Sequence, residues 1–108
     1  MALKRFPVNS YPVLALLEPA VLPNSAADAI AVDCILQNIT LTNYTAGAIT
    51  VTITDKQSTP RDLLKDYSIP AKTTVVFSFP GGRFMTGGFQ WVASAATSIV
   101  GSFAANVK

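Results

Sequence analysis

At 108 residues the chain has room for a single domain, and a net charge of +2 on scattered cations is too mild for a nucleic-acid binder. Charged residues make up 13% of the chain and hydrophobic ones 50%, more apolar surface than so small a core can hide, so burial against other subunits is expected. With no histidine and Cys34 as its one cysteine, the sequence excludes an intrachain disulfide, the usual zinc sites and any Ser-His-Asp or Cys-His catalytic arrangement.

Residues 1–28 read as an extended N-terminal arm. Pro7, Pro12, Pro19 and Pro23 forbid a long helix and any central strand. Yet Phe6, Tyr11, Leu14 and Leu17 make the segment apolar, unlike a disordered tail. It fits an arm laid along a surface, that of its own sandwich or of a neighbour. Lys4 and Arg5 suit the start of a secretion signal, but the prolines leave Val13 to Leu17 as the longest apolar piece, too short for one. No stretch approaches the length of a membrane helix. The expectation is an unprocessed chain made inside the cell.

Asn24 to Asp28 is a turn or linker, and residues 29–108 carry the strand signals. Ile30, Val32, Cys34 and Leu36 share one parity and Ile39 and Leu41 the other, which predicts one long strand bent by a bulge near Leu36-Gln37. The strongest pattern runs from Ile39 to Thr54, with apolar residues on odd positions and threonines on even ones, and Asn43 to Ala48 between the arms. It predicts a β-hairpin. Its face of Thr40, Thr42, Thr50, Thr52 and Thr54 is polar but uncharged, suiting a sheet that packs against another subunit or lies beneath the arm. Asp55 to Ser68 is ambiguous between one helical turn at Ser58 to Leu64 and a short strand over Leu63 to Ile69.

Pro70-Ala71-Lys72 is a turn, Thr73 to Phe79 a strand, and Pro80-Gly81-Gly82 its break. After Gly87-Gly88, a strand places Phe89, Trp91 and Ala93 on one face, and a last strand over Ser98 to Ala104 does the same with Ile99, Gly101 and Phe103. Short strands with turn signals at this spacing predict an all-β fold, an antiparallel β-sandwich of immunoglobulin-like or jelly-roll-like type, over residues 29–108 after the arm.

Few residues offer chemistry. Asp62 and Asp66 are four apart, but so small a sandwich has little room for a glycosidase cleft. They, with Glu18, Asp33 and Asp55, read as solvated loop charges. The paired glycines lead from strand to strand, not into a helix, so they make turns and no phosphate loop. Between them, Arg83, Phe84 and Met85 form a candidate contact surface. Cys34 reads as a small core residue. Trp91 reads as a core anchor, with a sugar-stacking platform as the alternative. Asn38-Ile39-Thr40 and Asn43-Tyr44-Thr45 match the glycosylation triplet, which arises readily by chance in so threonine-rich a chain.

A family resemblance rests on the apolar proline-rich start, Ile39-Thr40-Leu41-Thr42-Asn43, Ser68-Ile69-Pro70-Ala71-Lys72-Thr73-Thr74, Phe79-Pro80-Gly81-Gly82, Gly87-Gly88-Phe89 and Ser98-Ile99-Val100-Gly101. Over roughly residues 30–108 the chain resembles the small β-sandwich proteins encoded among bacteriophage virion structural genes, the capsid decoration, collar and fibre-associated components. The resemblance implies a non-enzymatic virion protein, made in the host cytoplasm, that binds other virion subunits. It also implies a homo-oligomer, taken as a trimer. No catalytic residue, cofactor, metal, nucleic acid or membrane is expected. The candidate interface residues are Phe6, Tyr11, Leu14, Leu17, Arg83, Phe84 and Met85. The alternative is a carbohydrate-binding or adhesin module at a fibre tip, stacking a sugar on Trp91, Tyr44 or Tyr67 beside Asn43 or Gln90.

Overall fold

A computed structural model describes residues 13–107; Phe6 and Tyr11, with the rest of residues 1–12, lie outside the described residues. Alternating β-branched and aromatic residues give eight strands: β1 Val13–Val21, β2 Ala27–Ile30, β3 Cys34–Asn43, β4 Ile49–Asp55, β5 Asp62–Ile69, β6 Thr74–Met85, β7 Phe89–Ala93 and β8 Ile99–Val107. They form two four-stranded sheets, ordered β1-β8-β3-β6 and β2-β7-β4-β5. The antiparallel pairing is nested: first strand with last, second with seventh, third with sixth, fourth with fifth. The chain is thus one long ribbon rolled up, with β3–β8 and β4–β7 as its seams. This is the eight-stranded jelly roll. The expected all-β sandwich is therefore what forms, and of the two expected types it is the jelly-roll-like one.

The roll corrects several local expectations. Ile39 to Thr54 is not a hairpin, because β3 and β4 lie in different sheets and share no ladder. Period two reports which face of a strand is buried, and it is satisfied equally by a partner alongside or one across the core. Ile39 and Leu41 on β3 and Val51 and Ile53 on β4 are all buried, facing each other across the sandwich. The connection's six expected residues were also long for a hairpin turn. Likewise the expected strand from Ile30 to Leu41 is two: β2 ends at Ile30 and the chain crosses sheets before β3 begins at Cys34. The expected bulge is present, at the register shift between Leu36 and Asn38.

The boundary expected at residue 28 falls inside β2. Residues 13–21 lie along the sandwich as an edge strand, Val13 opposite Val107 and Val21 opposite Val100. Pro19 sits where this ladder shifts register, between Leu17 and Ala20, so its missing N–H interrupts no regular pairing. Of the two readings of Asp55 to Ser68, the strand forms, as β5. Pro80-Gly81-Gly82 does not end a strand: β6 runs on to Met85. Between Ser78, opposite Asn38, and Arg83, opposite Leu36, it throws out a bulge. Gly82 at φ +82 lies over Ile35, so close that a β-carbon there would overlap the isoleucine side chain. This cover explains why Ile35 is fully buried despite its outward parity.

The core is filled by inward-facing Leu36, Ile39 and Leu41 of one sheet against Val51, Ile53 and Phe89 of the other. At its centre Trp91 and Phe89 on β7 meet Phe103 on β8, in edge-to-face contacts at centroid distances of 5.9 Å within β7, and 5.0 and 5.8 Å between the sheets. Cys34 is fully buried, and desolvation, with Asp33 nearby, pushes its thiol up to about 11. Acrylamide should therefore quench Trp91 fluorescence weakly, and an aromatic disulfide reagent should label Cys34 only after denaturant is added. Labelling of the native protein within minutes would contradict this packing.

The sheet-to-sheet crossover after β3 is held by Asn43, which is fully buried. Its amide nitrogen donates to the carbonyls of Gly47 and Ile69 at 2.9 Å and of Pro70 at 3.2 Å. Its Oδ1 accepts from Thr45 N at 2.8 Å and from Thr45 Oγ1 at 2.7 Å. One side chain thus closes the β3–β4 connection and ties it to the β5–β6 turn.

Candidate interaction surfaces

The aspartates are taken up by structure. Asp28 pairs with Lys56 at 2.8 Å and accepts from Gln90 at 3.3 Å, and these hydrogen bonds hold its carboxyl below the usual range. Asp62 and Asp66, the pair four apart, accept from Thr54 and Thr52 of the neighbouring strand at 2.8 and 3.3 Å, bracing β4 to β5. Asp33 accepts from the Gly87 amide, joining the β2–β3 crossover to the β6–β7 turn. Asp55 accepts from Gln57 at 2.6 Å and from the Arg61 amide at 2.9 Å. Among the described residues no three His, Cys, Asp or Glu side chains are gathered as metal ligands would be.

The expected threonine face is split in two. Thr40 and Thr42 lie on the outer surface of the β1-β8-β3-β6 sheet, Thr50, Thr52 and Thr54 on that of the other, because β3 and β4 part company. The two outer surfaces differ in charge. Cross-strand registers set Asp28, Gln90, Thr54 and Asp62 in one row across the β2-β7-β4-β5 sheet, with Lys65 and Asp66 further along β5. On the other sheet one row reads Val21, Val100, Thr42 and Thr74, the next Ser102, Thr40 and Val76, and another Ala104, Asn38 and Ser78. The charged residues in its four strands are Glu18, at the β1 bulge, and Arg83, beyond the β6 bulge. Val76, Leu14 and Val21 are exposed on this sheet at 61%, 55% and 54%.

The expected interface residues fall in different places. Leu14 is exposed on edge strand β1 and the Leu17 backbone pairs with Phe103 in the same ladder. Arg83 is exposed and Phe84 half-buried at the far end of β6, but Met85 is a core residue at 1% exposure and cannot reach a partner. Parity puts Phe84 on the face opposite Arg83 and Met85, and of those two Arg83, next to the bulge, is exposed while Met85 is in the core, so the triplet cannot act as one patch. Trp91, at 4% exposure, and the buried Asn43 cannot form a sugar platform at the surface. Tyr44 and Tyr67 are exposed, Tyr67 with its ring edge-on to Phe77 at 5.3 Å.

A second surface feature joins the two sheets. Where the β4–β5 connection meets the β6 bulge there is a cleft of about 530 Å3 lined by Asp55, Gln57, Arg61, Phe79, Pro80 and Arg83, with Phe84 and Ser78 beside them. Arg61 had no place in the sequence-based interface. It stands 22 positions before Arg83 in the chain, and only the rolled topology brings the two together.

No family model, no curated protein and no solved structure matches this chain, so its surfaces carry the functional argument alone.

Proposed function

We propose that the protein is a non-enzymatic structural subunit of a phage virion, a decoration or adaptor component that binds neighbouring subunits through the outer surface of its β1-β8-β3-β6 sheet and the apolar residues 1–12. The observation that carries this reading is the uncharged rows of threonine, serine, alanine and valine on that surface, with Val76, Leu14 and Val21 exposed. A surface kept in water would carry lysine and glutamate, and the opposite sheet does carry charge. Jelly rolls recur in viral capsid proteins and in lectins, which supports the reading by analogy of fold only. Between those two, the burial of Trp91 favours the structural reading.

Magnitudes agree with an arm taking part. Four strands about 4.8 Å apart and some eight residues long present on the order of 500 Å2, against about 800 Å2 per partner in a stable interface. β1 is an edge strand of this same sheet, and we assign the remainder of the interface to the apolar residues that precede it in the chain. Light scattering on the eluting protein should show an oligomer, a trimer by this reading. Val76→Lys should shift it toward monomer with little change in melting temperature. A wild-type monomer across the micromolar range, or an oligomer indifferent to Val76→Lys, would sink the proposal. Removing residues 2–12 tests the arm cleanly, whereas a deletion to residue 28 also takes β1 and the start of β2 from the sheets.

A further inference from the structure

We infer that the cleft between the β4–β5 connection and the β6 bulge binds an acidic peptide segment of a partner chain. The protein has three arginines, Arg5, Arg61 and Arg83, and both described ones line this cleft. The ion pair among the described residues joins Asp28 to Lys56, which leaves both guanidinium groups without a carboxylate from those residues. The cleft's own acid is engaged, since Asp55 accepts from Gln57 Nε2 and from the Arg61 backbone amide. A planar, weakly hydrated guanidinium is the side chain best matched to a carboxylate, and two of them across a cleft select for acidic groups.

The walls say what else the ligand carries. Phe79 is half-buried with Pro80 beside it, an apolar lining that an inorganic anion would leave unused. Residues 79–82 have no Cα partner on β3, and β6 is the outer strand of its sheet. Main chain here is free of the ladder, and an extended peptide can lie alongside it. Nucleic acid fits less well. Two arginines beside an aspartate neutralise too few phosphates, and the other cations lie elsewhere. An extended segment with acidic and apolar side chains matches every wall, within a volume typical of ligand sites.

The full chain is titrated into a fluorescein-labelled short peptide of alternating glutamate and leucine, followed by anisotropy. The same peptide with glutamine for glutamate, a single-stranded oligonucleotide and inorganic phosphate serve as comparisons. The glutamate peptide should bind about tenfold tighter than the glutamine one or the oligonucleotide. Binding should weaken several-fold between about 50 and about 200 mM salt. Arg61→Gln and Arg83→Gln should each weaken it, and the double variant should lose it with an unchanged circular dichroism spectrum. Equal binding of the glutamine peptide, tighter binding of the oligonucleotide, displacement by phosphate at equimolar concentration, or full binding by the double variant would each overturn the inference. So would no binding at millimolar protein. The titration reads the isolated chain, so it answers whether or not the chain assembles through its uncharged sheet.

Discussion

Gly88→Ala should cost roughly 3 kcal/mol or more, enough to lower the melting temperature by about 10 °C or to prevent folding. Gly88 follows the β6–β7 turn at φ +92, a conformation that side-chain-bearing residues rarely adopt. Space is the second obstacle. A β-carbon would overlap the Ile30 carbonyl oxygen, and would stand 2.7 Å from its carbon and 3.1 Å from the Val32 amide nitrogen. All three are backbone atoms, so no rotamer change relieves the clash. The turn would have to lift off the β2–β3 crossover, taking with it the Asp33–Gly87 hydrogen bond. Gly47→Ala is the control: nothing lies within 4 Å of the place its methyl would take, so its effect should stay within about 0.5 kcal/mol. Urea denaturation of the two variants side by side decides the matter, and equal midpoints would refute it.

Asn43 is the second position of large effect, and here the order of two variants is the test. Asn43→Ala removes the donor to the buried Ile69 carbonyl along with the other four hydrogen bonds, a loss of roughly 2–3 kcal/mol. Asn43→Asp keeps the acceptor for Thr45 but turns an oxygen toward the carbonyls of Gly47, Ile69 and Pro70 in a site with no solvent exposure. Repulsion and burial of charge make it the worse change, by roughly 4 kcal/mol or more. If chemical denaturation showed the aspartate variant to be the milder, the Thr45 side of the network would be the part that matters.

Much of the fold is legible in residue order because alternation is a local property. Phe89, Trp91 and Ala93, and Ile99, Gly101 and Phe103, are read correctly as buried faces, and the bulge after Leu36 shows in a parity change. What residue order does not carry is the partner of each strand. Ile39 to Thr54 has the signature of a hairpin and is a crossover, since the same inward side chains serve either arrangement. Proline is the truer guide at β1. Pro19 is a mark against a central strand, and β1 complies by being an edge strand bulged at that point. The surfaces follow the same division. The uncharged threonines are visible in sequence, but their allotment to opposite sheets is not. Arg83 stands out beside Phe84, while Arg61 has no local signal at all.

The nested pairing sets a schedule for folding. The β2-β7-β4-β5 sheet is complete once Ala93 is available, but β8 is an inner strand of the other sheet, between β1 and β3. Val13 finds its partner in Val107, 94 positions further along. During synthesis β1 must therefore wait, its polar backbone unpaired, until β8 has left the ribosome. Such distant contacts make closure slow. Premature association between chains through β1 or β3 is the failure expected when that wait is prolonged.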